Sequence, residues 1–115
     1  MLASGTLSKN TKETRRALHV SQEQFARLLQ TTLTSVSRWE LGRATPVRWQ
    51  AQRLHRLHVV IKAIGRMIRP ENLEAFLTAP HSQLSGLRPL DMLDNENTFK
   101  KLLGIIESAK SGDMA

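Results

Sequence analysis

Residues 20–43 read VSQEQFARLLQTTLTSVSRWELGR and encode two short helices separated by a turn. Ser21 and Gln24 have the spacing of a capping box, so the first helix is expected to begin here. After a short break, Thr32 is a suitable N-cap for the second helix. Gly42 follows the second helix at the position where a left-handed residue is needed. The pattern predicts a helix-turn-helix.

The remainder of the chain is also predicted to be helical. Apolar residues recur at three- and four-residue steps, and no useful stretch alternates with period two. Thr45 and Pro46 indicate an N-cap and a first helical residue, and they begin one long amphipathic helix that runs to about Ile68. Shorter helices are expected over residues 12–18, 71–77 and 96–108, with one helical turn over residues 89–93. The expected class is all-α.

The charge is divided unevenly along the chain of 115 residues, whose formal net charge is +7. Residues 1–69 contain 13 basic and three acidic side chains, a net charge of +10, whereas residues 70–115 carry −3. This asymmetry favours a nucleic-acid contact made by the first part, the alternative being a solvated basic face. The expected organisation is a flexible arm over residues 1–10, a DNA-binding domain over 11–69 and a second domain over 70–115.

Several function classes are disfavoured by what the sequence does not contain. It has no cysteine, no run of about 18 apolar residues and no apolar segment typical of a signal peptide. His55 and His58 are three residues apart, but no carboxylate lies at ligand spacing near them, so no metal or cofactor is expected. We therefore expect a soluble, cytoplasmic, non-enzymatic protein without a membrane segment.

Residues 13 to about 57 resemble the helix-turn-helix of the Xre family of DNA-binding repressors through their SQ…FA…S-x-W-E-x-G pattern. The resemblance implies a lambda-repressor-like bundle with a long fourth helix. It also implies a homodimer that binds double-stranded operator DNA, with two recognition helices in successive major grooves of a palindromic site. The residues expected to contact DNA are Gln22, Thr32, Leu33, Thr34, Ser37, Arg38, Arg43 and Arg48.

These residues differ in the contacts that their chemistry allows. Arg38 is the strongest candidate for a base or backbone contact, whereas Gln22, Arg43 and Arg48 suit phosphate oxygens. Glu40 is expected to pair with a nearby arginine and so to fix the end of the second helix. Gln30 occupies a position where the family usually has glycine, and a left-handed glutamine costs about 1 to 2 kcal/mol. Both tryptophans are expected in the core rather than as stacking platforms for single strands.

Residues 76–93, FLTAPHSQLSGLRPLDML, are similar to the toxin-binding domain of the Xre/MbcA/ParS antitoxins, and this resemblance extends over residues 60–108. It implies a small helical C-terminal domain that masks a RES-domain, NAD-depleting toxin, while the N-terminal domain represses the shared operon. A small hydrophobic closing subdomain in a free-standing regulator or adaptor is the alternative. The partner-binding candidates are Leu84, Gly86, Arg88, Pro89 and Leu90.

Overall fold

The computed structural model describes residues 4–65 and 67–112, and every regular element in those ranges is helical, which confirms the all-α class. The elements are α1 (Ser4–Ala17), α2 (Gln22–Leu28), α3 (Leu33–Glu40), α4 (Arg48–Ile64), α5 (Pro70–Thr78) and α6 (Glu96–Ser111), with 3-10 turns at Ser82–Leu84 and Asp91–Asp94. The chain divides into two compact units, residues 1–58 and 59–115. The boundary between these two units falls within α4, and the functional division between residues 69 and 70 stays a prediction.

Helix α1 begins earlier than predicted. The expected flexible arm included residues 4–10, but these residues are helical and Leu7 is buried. Thr11, also buried, donates a hydrogen bond from Oγ1 to the Leu7 carbonyl at 2.7 Å, and Ser8 Oγ donates to the Glu40 carbonyl at 2.6 Å. The burial of Leu7 and the bond from Ser8 to Glu40 thus hold this segment against the rest of the unit, although its composition suggested disorder. Residues 1–3 of the predicted arm lie outside the described residues.

The core of the first unit is built from α1, α2, α3 and the first part of α4. Its buried apolar side chains include Leu18, Phe25, Ala26, Leu29, Val36, Trp39, Leu54 and Leu57. Trp39 is in the core as expected, but Trp49 is 52% exposed, so the core prediction was wrong for this residue. Trp49 lies in the first turn of α4, before the buried stripe of that helix, which begins at Arg53.

Both ends of α4 differ from the prediction. The helix begins at Arg48, and the Val47 N–H is hydrogen-bonded to Gln50 Oε1 at 3.2 Å, so Thr45 and Pro46 lie outside it. It ends at Ile64 rather than near Ile68, because Gly65 adopts a left-handed φ of +57°. Glycine enters this region without a steric penalty and commonly ends helices there.

The second unit packs α5, α6 and the two 3-10 turns around a small apolar core. Leu73, Leu77, Leu93, Leu102 and Ile106 are buried. Helix α6 packs on the second 3-10 turn and begins after Asn95, whose Oδ1 accepts hydrogen bonds from the N–H groups of Asn97 and Thr98 at 2.7 and 3.3 Å. These contacts hold the C-terminal segment in a defined fold of its own.

Candidate nucleic-acid interface

The N-terminal ends of α2 and α3 are capped as the sequence predicted. The Gln24 N–H donates to Ser21 Oγ at 3.1 Å, and the Ser21 N–H donates to Gln24 Oε1 at 2.9 Å, which completes the capping box. At α3, the Ser35 N–H donates to Thr32 Oγ1 at 3.1 Å. Helices α2 and α3 pack against each other. Their start points, and hence the position of α3, are therefore determined by local hydrogen bonds.

The turn between the two helices contains a left-handed glutamine. Gln30 has a φ of +57°, its N–H donates to the Arg27 carbonyl at 3.2 Å, and the Thr31 N–H donates to the Ala26 carbonyl at 2.9 Å. This pair of bonds is a Schellman motif, in which glycine is the usual left-handed residue. The left-handed conformation anticipated from the sequence is thus present, with the strain of a side chain at that position.

Replacing Gln30 with glycine is expected to stabilise the first unit by about 0.5–1 kcal/mol, because it relieves this strain at the expense of some chain entropy in the unfolded state. Urea unfolding followed by tryptophan fluorescence measures the change, since both tryptophans, Trp39 and Trp49, lie in this unit. Gln52→Gly is the matched control in the middle of α4, where the same substitution is expected to destabilise by about 1 kcal/mol. A loss of stability for Gln30→Gly would contradict the assignment of strain.

A buried carboxylate holds the end of α3 against α1 and α2. Glu40 is 4% exposed and accepts hydrogen bonds from Arg15 Nε to Oε2 at 2.6 Å and from Arg15 Nη2 to Oε1 at 3.0 Å. Gln22 Nε2 donates to the same Oε1 at 3.2 Å, and Arg15 Nη1 also donates to the Val20 carbonyl. The arginine partner expected for Glu40 is therefore Arg15, and three segments are joined at one carboxylate.

The same contacts determine the ionisation of this carboxylate. Burial opposes the charged form of Glu40, but hydrogen bonds from Arg15 and Gln22, together with the positive charge of Arg15, outweigh it and hold the pKa of the Glu40 carboxyl below its usual range. Glu40 is consequently charged near neutral pH. Because it is buried, its negative charge is not on the surface of the unit. Both carboxylate oxygens are occupied by hydrogen bonds from Arg15 and Gln22.

The outer face of α3 carries most of the predicted DNA-contacting side chains. Leu33, Thr34 and Arg38 are exposed and Ser37 is half-buried, whereas Val36, Trp39 and Glu40 face the core. Arg43 and Arg48 are exposed just beyond α3 and at the start of α4. Within the part of the chain that the structure describes, the side chains of Arg38, Arg43 and Arg48 form no hydrogen bond or ion pair. The three guanidinium groups remain available for an anionic ligand.

Two of the predicted contact residues have internal roles. Thr32 Oγ1 accepts from the Ser35 N–H and donates to Ser35 Oγ at 3.0 Å, so its hydroxyl caps α3. Gln22 is half-buried and uses one amide hydrogen on Glu40. The capping role of Thr32 was predicted from the sequence, whereas the role of Gln22 was not, since its bond to Glu40 joins residues 18 positions apart.

Three further exposed apolar side chains accompany the cations, and none of them was predicted to contact DNA. Leu41 is 59% exposed at the end of α3, and Val47 and Trp49 are also exposed, on either side of Arg48. The loop that leaves α3 therefore presents alternating basic and apolar groups. Leu41 and Val47 lie outside the bounds of α3 and α4, and Trp49 precedes the buried stripe of α4, so their exposure depends on where the helices begin and end.

The partner-binding candidates of the second unit separate into two groups. Leu84, Pro89 and Leu90 are buried and their side chains contribute to the packing of this unit, so their contact with a partner stays a prediction. Gly86 is exposed, and the partly exposed Arg88 forms a bidentate ion pair with Asp91 at 2.8 Å.

The backbone around Gly86 presents a residue that the predictions omitted. Ser85 and Gly86 have left-handed φ values of +58° and +81°, and the Gly86 N–H donates to the His81 carbonyl at 2.9 Å. The His81 N–H donates in turn to the Leu87 carbonyl at 3.2 Å, which closes the loop. Leu87 stands 44% exposed beside Gly86. The surface of this loop is therefore formed by residues 85–88.

In residues 4–65 and 67–112, no group of three or more histidine, cysteine, aspartate or glutamate side chains is placed to hold a metal ion. His58 Nδ1 lies 3.1 Å from Thr14 Oγ1, and His55 is exposed. None of the described helices is both long enough and apolar enough to cross a membrane.

Comparison with known proteins agrees with this geometry. Residues 12–46 match the family described as Helix-turn-helix. The chain is 23% identical over 95 residues to the Mycobacterial cidal antitoxin MbcA of Mycobacterium bovis and of Mycobacterium tuberculosis, with 83% of each sequence covered. In structure it matches a chain of the M. tuberculosis MbcT–MbcA toxin–antitoxin complex with a TM-score of 0.77 and 21% identity, over 95% of this chain and 97% of that one. Residues 12–46 thus match a helix-turn-helix, and the chain shares the fold of a chain of that complex.

Proposed function

We propose that this helix-turn-helix protein is a sequence-specific transcriptional repressor that acts as a type II antitoxin and regulates its own operon. The observation that carries the proposal is the structural match to a chain of the MbcT–MbcA complex, which extends over 95% of this protein rather than over the helix-turn-helix alone. Residues 12–46, by themselves, would support only a DNA-binding regulator.

The DNA-binding part of the proposal rests on charge and exposure. Helix α3 enters the major groove, and the exposed arginines Arg38, Arg43 and Arg48 face the bases or the phosphates. The excess of positive charge over residues 1–69, +10, attracts the polyanion. Two copies bind a palindromic operator as a homodimer, with their α3 helices about 34 Å apart. The protein acts in the cytoplasm, where such an operator is accessible.

The antitoxin part of the proposal places the toxin on the second unit. Residues 70–115 carry a net charge of −3, which is unsuited to DNA and compatible with a protein partner. The exposed loop of residues 85–88 combines an apolar side chain, Leu87, with the Arg88–Asp91 ion pair. This combination of an apolar centre and charged rim is typical of protein interfaces. The partner is a RES-domain toxin that depletes NAD, and the antitoxin itself needs no cofactor and performs no catalysis.

Co-expression with the product of the adjacent reading frame tests this function. We expect the two proteins to co-purify through a tag on the present chain, and Leu87→Asp to weaken the complex at least tenfold because it desolvates a charge in the apolar centre. Thr45→Asp is the matched control, since it adds the same charge to an exposed loop of the first unit. If the wild-type chain binds DNA but retains no neighbour-encoded protein, the free-standing regulator is the correct function.

A further inference from the structure

The first turn of α3 is unusually poor in groups that can recognise a base by paired hydrogen bonds. The described helix reads LTSVSRWE, and Arg38 is its only outward-facing side chain able to form a bidentate contact with a base. Thr32 Oγ1 and Ser35 Oγ are hydrogen-bonded to each other at 3.0 Å and cap the helix. Leu33 and Thr34 are therefore the side chains that this turn offers to a ligand.

Leu33 is 47% exposed at the start of α3, between the exposed residues Thr32 and Thr34. Leaving an apolar side chain of this size in water sacrifices burial energy, and the core of the unit does not use it. The N-terminal residues of a recognition helix are the ones that meet base edges in the major groove. The apolar feature of those edges is the C5 methyl group of thymine.

We infer that Leu33 determines part of the operator specificity by packing on a thymine methyl group, so that each half-site contains a thymine that is recognised through its methyl group and not by paired hydrogen bonds. The inference rests on the proposed insertion of α3 into the major groove. Arg38 stands five residues further along the helix, about 7.5 Å at 1.5 Å per residue, and recognises or anchors a different part of the half-site. Specificity then combines one apolar and one cationic contact.

Uracil substitution isolates this contact, because uracil differs from thymine only by the missing methyl group and pairs with adenine in the same way. The probe is a duplex selected by the full-length protein from a random-sequence double-stranded library, with each thymine of a half-site replaced in turn. We expect one thymine in each half-site at which replacement by uracil weakens the binding of the wild-type protein about fourfold. This factor corresponds to about 0.8 kcal/mol, the free energy of burying one carbon group.

Variants distinguish Leu33 from its neighbours. Leu33→Ala is expected to bind the thymine and uracil duplexes equally, and Leu41→Ala, which truncates another exposed leucine of the α3 segment, is expected to keep the fourfold difference. Thermal unfolding checks that both exposed-site variants fold. The inference is overturned if Leu33→Ala still prefers thymine, or if the wild type has no position that is sensitive to uracil. In both cases the selected duplex still supports DNA binding by the protein. If no duplex is enriched, DNA recognition by α3 is itself refuted.

Discussion

Replacement of Glu40 with alanine is expected to lower the free energy of unfolding of the first unit by about 3 kcal/mol, because it leaves the Arg15 guanidinium and the Gln22 amide without their common acceptor. Removing one partner of a largely buried ion pair leaves the other charge buried without a partner, which lowers the free energy of unfolding strongly. Replacing both partners with apolar residues usually has a much smaller effect. Urea unfolding monitored by tryptophan fluorescence measures the loss in this unit.

The exposed pair between Glu23 and Arg27 is the control for Glu40. Its side chains are 69% and 66% exposed, and it joins successive turns of α2 at 3.3 Å. Glu23→Ala is expected to change the stability by no more than about 0.5 kcal/mol, because water screens the pair. Equal effects of the two substitutions would show that the Glu40 cluster does not hold α3 against α1.

The contribution of Glu40 also depends on pH in a defined direction. Since its folded-state pKa is lower than its unfolded-state pKa, the stabilisation is complete above the unfolded value, about 4.3 for glutamate, and is lost as the pH falls through the folded value. The difference in stability between the wild type and Glu40→Ala is therefore expected to be constant near neutral pH and to shrink below about pH 4. A difference that grows on acidification would contradict the hydrogen bonds assigned to the charged form.

Replacement of Arg38 with alanine is expected to weaken binding to the selected duplex by about 10- to 100-fold and to relax its sequence preference, while binding to random DNA changes little. Arg48→Ala is expected to weaken binding to both DNAs equally and to reduce the slope of log K against log salt by about 0.9, the contribution of one phosphate contact. Fluorescence anisotropy over a series of salt concentrations separates the two effects.

Controls for these arginines come from the same chain. Lys100 is exposed in the second unit, and Lys100→Ala is expected to leave both DNA affinities unchanged. Arg38 and Arg48 are exposed, so their variants are expected to retain the wild-type unfolding midpoint. If Arg38→Ala affects selected and random DNA equally, the residue contacts phosphate and the assignment of base recognition is wrong.

Local hydrogen bonding explains why the helix-turn-helix could be predicted so closely. The capping box at Ser21, the N-cap at Thr32 and the left-handed Gly42 involve residues within a few positions of each other. The left-handed conformation of Gln30 was expected only through the family resemblance, in which glycine usually occupies this position. The prediction was wrong at both ends of α4. Thr45 and Pro46 were expected to begin the helix, and Gly65 was not recognised as the residue that ends it.

The candidate sites were predicted less completely, because residue type does not reveal burial. Leu84, Pro89 and Leu90 belong to a suggestive motif, but they are buried, and exposed Leu87 was omitted. Trp49 was expected in the core and is half-exposed. Each difference arises where the exposure of a side chain depends on segments that are far away in sequence.

The sequence by itself determined that the described part of the chain is all-α, where α2 and α3 begin, and which residues lie on the outer face of α3, because caps and 3.6-residue periodicity act over a few positions. Only the tertiary structure decided that Arg15 is the partner of Glu40 across 25 positions and that Gln22 completes the cluster. It also decided that Trp49 remains at the surface and that Leu84 is buried. The partner of a side chain and its burial depend on which distant segments of the chain pack against it and exclude water. Local sequence patterns do not specify this packing.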